Sequence, residues 1–194
     1  MENNFLIRKA RPDDQDRLVE LWITGLKSHM IGPNATPEFT QVIQRYLDAK
    51  CKPDGDMYNI QKYYLNDDPR KTFIVAEETS TGKIAGCVAA IPSTELNGEE
   101  YLELVRMSVD SSFRGTGVGP LLVKAFEDWA ICVGYRKVTL TAWDCNIPAV
   151  KFYKKFGYKE IENFVSTLPP SAYYIFPEEE SKVGLVYYEK GLLQ

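Results

Sequence analysis

The chain has 194 residues, 44% of them hydrophobic and 26% charged, a balance that suits one globular domain and excludes an intrinsically disordered chain. Lys and Arg number 23 against 27 Asp and Glu, so the net charge is −4 and a basic nucleic-acid-binding surface is not expected. No run of about 18 apolar residues occurs, and the first residues lack the basic-then-apolar order of a secretory signal, so a cytoplasmic protein without a membrane partner is expected.

Residues 5–10 alternate apolar and basic side chains and read as a first strand. Pro12, Asp13 and Asp14 then open a helix. Their acidic side chains complement its dipole, and Leu18, Leu21, Trp22 and Leu26 recur at helical spacing. Residues 29–70 form a helical insert, patterned over about 37–50 by Phe39, Val42, Ile43, Tyr46 and Leu47, and more weakly over about 57–66. Strand patterns return at 72–77 and 84–91, joined by the turn formers Ser80, Thr81, Gly82 and Lys83, so a hairpin is expected. A third strand follows at 101–109. A glycine-rich turn over 114–119 leads into a helix at about 119–133, with Gly134 placed to stop it. Lys137–Trp143 reads as a strand and 149–156 as a short helix ended by Gly157. Residues 158–164 read as a strand, and 184–189 as the last one, after a proline-rich loop. This order predicts one mixed α/β domain over 1–194.

The turn Arg114-Gly115-Thr116-Gly117-Val118-Gly119, between a strand and a helix, is suited to holding phosphate. Its glycines allow a close backbone approach, the helix start offers unpaired N–H groups and the positive end of a dipole, and Arg114 adds a charge. The same glycines would also serve a plain turn. Neither the dinucleotide fingerprint nor the P-loop fits, because the spacing is G-x-G-x-G and no Lys-Ser or Lys-Thr follows. With one histidine, and four cysteines without CxxC spacing, a metal site is not expected.

Arg114, Gly117 and Gly119 resemble the R/Q-x-x-G-x-G/A phosphate motif of the GNAT superfamily of acyl-CoA-dependent N-acyltransferases. Downstream, Asn146, Ala149, Tyr153 and the run Phe156-Gly157-Tyr158 follow in that family's order. The resemblance covers 72–164, extends to 5–28, and has its core motif at about 101–158. It implies a GNAT fold: a mixed, mostly antiparallel seven-stranded sheet flanked by helices, with the helical insert after the first helix. It also implies a β-bulge near 106–108 and splaying of the strands at 101–109 and 137–143. The implied activity is transfer of an acetyl group from acetyl-CoA to a primary amine by direct attack, without a metal. The acceptor would be a small-molecule amine or a protein amine, and the acidic charge balance suits a cationic one. The alternative is a non-catalytic acyl-CoA sensor or interaction module on the same fold. A homodimer through the C-terminal strands is compatible with these residues.

By resemblance, the strand residues Met107, Ser108 and Val109 face the cofactor, the backbone of Met107 and Val109 pairing with its pantetheine arm. The amides of Arg114, Gly115, Thr116, Gly117, Val118 and Gly119 hold its pyrophosphate, and Asn146 touches it or serves as a helix cap. Pro120, next in the chain, has no N–H to give. Tyr153 stands where relatives carry a general acid for the departing thiolate; packing with Phe152 and Phe156 is the other reading. Glu103 stands where one branch of the family carries a general base, and a partly buried carboxylate there would have a raised pKa. Strict alternation puts Glu103, Val105, Met107 and Val109 on one face, with Leu104, Arg106 and Ser108 on the other; an exposed glutamate beside Glu99 and Glu100 is the other reading. Cys145 reads as a bystander and His29 as a loop residue. Tyr173, Tyr174 and Phe176, with Glu178, Glu179 and Glu180, read as a loop that either packs or borders the acceptor.

Overall fold

The computed structural model describes residues 4–31, 37–94, 100–143, 146–161 and 185–192. Twelve elements carry the fold. They are β1 (Phe5–Lys9), α1 (Gln15–Lys27), α2 (Pro37–Lys50), α3 (Ile60–Tyr64), β2 (Thr72–Glu78), β3 (Ile84–Thr94), β4 (Glu100–Val109), α4 (Val118–Cys132), β5 (Lys137–Trp143), α5 (Ile147–Lys155), β6 (Lys159–Glu160) and β7 (Leu185–Gly191). The strands form one seven-stranded sheet in the order β1-β2-β3-β4-β5-β7-β6, antiparallel throughout except where β4 meets β5. This is the mixed α/β sheet, flanked by helices, that the residue pattern predicts.

The central strands are buried on both faces, which is why 72–77 and 84–91 read as near-continuous apolar runs. Ile74, Ala76, Val88, Leu102 and Leu104 turn toward α4, whose Leu122, Val123 and Phe126 are fully buried. Phe73, Val75, Cys87 and Ala89 turn to the opposite face, where Leu18, Leu21 and Trp22 of α1 meet Val42, Ile43 and Leu47 of α2 and Ile60 and Tyr64 of α3. The insert is therefore the second half of the helical layer on that face.

Several boundaries differ from the sequence expectation. The weak helical pattern at 57–66 contracts to α3, because Asn59 caps it, accepting from the Lys62 N–H at 2.9 Å. The strand expected at 158–164 is a strand only at Lys159–Glu160, and 162–164 lie outside the described residues. The last strand runs two residues further than expected, to Gly191, because the whole of β5 pairs with it.

The main correction concerns β4. Cys87 pairs with Ser108 and Ala89 with Val105, so Val88 stands against two residues, Arg106 and Met107. Arg106 takes a left-handed φ of 56°, and the Cys87 thiol donates to its carbonyl at 3.4 Å. The extra residue reverses the alternation. Met107 and Val109 pack with Leu104 on the α4 face, whereas Val105 and Arg106 lie with α1 and α2. Glu103 and Met107, expected on one face, are on opposite faces.

Candidate active site

β4 and β5 share only two partner pairs, Leu102 with Val138 and Glu103 with Thr139. Beyond them the strands part, and among the described residues no strand pairs with the β4 edge from Leu104 to Val109 on that side. A cavity of about 810 Å³ opens in this gap. It runs from the glycine-rich turn, past Met107 and the start of α5, to the insert residues Tyr46, Lys50, Asp56 and Tyr63.

One end of the cavity is built from the turn after β4. The Asp110 carboxylate accepts from the Ser112 N–H and hydroxyl at 2.9 and 2.6 Å and pairs with Arg17 of α1, which fixes where β4 ends. The Ser112 bonds, with Arg17 and Lys83, hold Asp110 well below the usual carboxylate range despite its partial desolvation. Gly117 then caps α4 at φ 95°, a conformation glycine reaches without strain, with open space where a side chain would stand. Not all six expected amides are available, because Arg114 and Thr116 donate within the turn, to Ser111 and Phe113. Among the described residues the N–H groups of Gly115, Gly117, Val118 and Gly119 have no backbone partner, and Pro120 has no N–H to offer. Four clustered donors, the exposed Arg114 and, on α5, the exposed Lys155 suit a pyrophosphate.

Ten of the twelve residues singled out from the sequence line this cavity: Glu103, Met107, Ser108, Val109, Arg114, Gly115, Gly117, Gly119, Asn146 and Tyr153. Thr116 and Val118 do not. The Thr116 hydroxyl donates to the Phe113 carbonyl at 2.7 Å, and the Val118 side chain, at the start of α4, is buried in the core, so each contributes only backbone. Asn146 is a helix cap, accepting from the Ala149 N–H at 3.3 Å, and also borders the cavity. Cys145, and the loop holding Tyr173, Tyr174, Phe176 and Glu178 to Glu180, lie outside the described residues, as does the side chain of His29.

Tyr153 is buried, its ring edge-on to Phe152 and Tyr158 at 5.4 and 5.7 Å, so packing and cavity-lining coincide in one side chain. Its hydroxyl makes no hydrogen bond among the described residues. Burial pushes the phenol well above its ordinary range, so it holds its proton wherever the protein is folded.

Glu103 is 5% exposed and makes no hydrogen bond or ion pair among the described residues. Burial raises its pKa to about 7, against the lowering pull of Arg106 and Lys50. A carboxyl poised there takes up and releases a proton near neutrality.

The sequence reading missed Arg106, Asp56, Tyr46 and Lys50. Arg106 donates from Nε and Nη2 to the two Asp56 carboxylate oxygens at 2.7 Å each, and from Nη1 to the Tyr46 hydroxyl. The Tyr64 hydroxyl donates to Asp56 as well. The guanidinium lies over the Trp22 ring at 4.9 Å. A lone arginine in a strand gives no signal of such a partner 50 positions away, and only the left-handed bulge turns it toward the insert.

The model of the acetyltransferase (GNAT) family matches residues 37–158. The chain belongs to the GNAT family. Among curated GNAT relatives, rat N-acetyltransferase family 8 member 2 is 35% identical over 117 residues, 60% of this chain and 50% of the relative. Human N-acetylaspartate synthetase is 35% identical over 121 residues, 62% of this chain and 37% of the relative. The chain thus spans half or less of the length of these two relatives. A crystal structure of a GNAT-family acetyltransferase from Staphylococcus aureus Mu50 superposes with a TM-score of 0.69 at 22% identity, covering 97% of this chain and 99% of that one. It shares the fold. No helix among the described residues is long and apolar enough to cross a membrane, and no group of His, Cys, Asp or Glu among them is arranged for a metal.

Proposed function

We propose that this cavity transfers an acetyl group from acetyl-CoA to a primary amine by direct attack. The observation that carries the reading is Glu103: a buried carboxyl without a partner among the described residues, poised near neutrality, in the same opening as four turn amides that have no backbone partner there and a protonated phenol. GNAT enzymes use acetyl-CoA as co-substrate, and the residues present fit it. The amides of Gly115, Gly117, Val118 and Gly119 hold the pyrophosphate, with Arg114 and Lys155 beside them. The unpaired β4 edge at Met107 to Val109 receives the pantetheine arm as an added strand would.

Glu103 takes the proton from the acceptor's ammonium, leaving the nitrogen lone pair to attack the thioester carbonyl carbon. A C–N bond forms and the C–S bond breaks. The Tyr153 hydroxyl gives its proton to the departing thiolate, and the second proton of the attacking nitrogen returns to the Tyr153 oxygen. Glu103 releases its proton to solvent, and the amide product and CoA leave. Both proton transfers lie within reach of ordinary general acid–base catalysis, about 10²–10⁴-fold.

Calorimetric titration with acetyl-CoA, followed by mass-spectrometric detection of N-acetylated product from a panel of amines, tests this reading. Micromolar binding with product is expected. Binding with no product from any amine would instead support an acyl-CoA sensor, and no binding would remove the phosphate site.

A further inference from the structure

The insert end of the cavity holds a cation to which the described residues supply no ion-pair partner. Lys50, the last residue of α2, is half-buried and lines the opening together with Glu103. Among the described residues it makes no ion pair; its ammonium stands 5.8 Å from the centre of the Tyr46 ring. The nearby acids do not answer it. Both Asp56 oxygens are held by Arg106, and one also receives the Tyr64 hydroxyl. Glu103 lines the same opening and makes no ion pair with Lys50. Arg106 and Asp56 answer one another, so the Lys50 ammonium and the Glu103 carboxyl are the groups at this end of the cavity that the described residues leave without an ion pair. Burial, and then the Arg106 charge, pull the Lys50 ammonium below the ordinary lysine range, as expected of a cation short of a counter-ion.

We propose that Lys50 receives a carboxylate of the acceptor, so that the substrate is an amine carrying one carboxylate: an amino acid or a similarly small zwitterion. This rests on the proposed acetyl transfer and names the substrate class of that same site. The charge count selects the class. The Lys50 ammonium matches one carboxylate and the Glu103 carboxyl matches the amine, whereas a doubly charged phosphate would bring a second negative charge toward Asp56 and Glu103. A diamine or polyamine would set an ammonium against Lys50 and Arg106. Arg106 also has N–H groups beyond the three engaged by Asp56 and Tyr46, so a carboxylate held by Lys50 has a second donor at hand.

The test compares amines in matched pairs with acetyl-CoA: alanine with ethylamine, leucine with isopentylamine, phenylalanine with phenethylamine. Spermidine and glucosamine 6-phosphate are added as cationic and phosphorylated acceptors. Wild-type protein is expected to favour the carboxylate-bearing member by at least tenfold in kcat/KM. Lys50→Gln should lower that preference tenfold or more through KM, and Lys50→Arg should restore most of it. A wild-type preference for the amines without a carboxylate, for spermidine or for the phosphate overturns the inference, as does an unaltered preference in Lys50→Gln. If no amine is acetylated, the proposed function falls and this inference with it; if the amines are acetylated without regard to the carboxylate, this inference alone falls.

Discussion

The Arg106 guanidinium closes on the Asp56 carboxylate through two bonds of 2.7 Å, and this pair ties the bulge of β4 to the loop after α2. Both side chains are nearly inaccessible to solvent, at 7% and 4% exposure. A non-glycine residue at φ 56° costs about 1–3 kcal/mol and persists only where its surroundings enforce it. Here the enforcing groups are Asp56, the Tyr46 hydroxyl and the Trp22 ring, all from the helical layer that also walls the cavity. The pair thus joins the helical wall of the cavity to the strand that carries Glu103.

Breaking that pair from one side should be costly. Asp56→Ala is expected to lower unfolding free energy by about 3–5 kcal/mol, because it leaves a buried guanidinium uncompensated. The double variant Asp56→Asn with Arg106→Met should recover much of this loss. Urea unfolding of the three proteins decides it. Equal stability of the single variant and wild type would show that the pair carries no such constraint.

Tyr153→Phe should retain acetyl-CoA binding and lower kcat tenfold or more, roughly 1.4 kcal/mol of barrier. The ring contacts with Phe152 and Tyr158 survive the change, so packing alone predicts little effect on turnover. Pre-steady-state release of the CoA thiol separates the two, and equal activity would leave Tyr153 as a packing residue.

Gly117→Asp should weaken acetyl-CoA binding by at least about a hundredfold, close to 2.7 kcal/mol. It sets a carboxylate beside the four unpaired amides and also strains a backbone at φ 95°. Gly117→Ala carries the strain without the charge and should lose clearly less affinity. Calorimetry on both variants checks the difference, and equal losses would mean that charge at this turn is not what matters.

Glu103 also makes a stability prediction. Its pKa is about 7 in the folded chain against an ordinary value near 4.3 unfolded, so the folded state binds the extra proton between these limits. Its contribution is fully present below pH 4 and is lost as pH rises through about 7. Glu103→Gln keeps the neutral form at every pH, so it should gain about 1–3 kcal/mol on wild type between pH 5 and pH 8. Denaturant midpoints at the two pH values measure this, and a constant difference would contradict it.

Much of the architecture is legible in local patterns. The turn at 114–119, the helix behind it, the Lys137–Trp143 strand and the short helix before Gly157 each follow from spacing that one segment carries by itself. Alternation along β4 is legible only as far as Val105, because a bulge is set by what the added residue can reach, and Arg106 reaches Asp56. Lys50 and Tyr46 read correctly as parts of an amphipathic helix. Their place in the cavity depends on how the insert packs on the sheet, which helical periodicity does not encode.

The central claim is that Glu103 deprotonates an amine beside a thioester held at the glycine-rich turn. The pH dependence of kcat/KM in wild type and Glu103→Gln, with the best acceptor of the panel, tests it most directly. The account predicts a wild-type rate that climbs about tenfold per pH unit and then bends near pH 7, and a variant that is slower and lacks that bend. The same bend in both proteins, or no transfer to any amine by wild type, would contradict it.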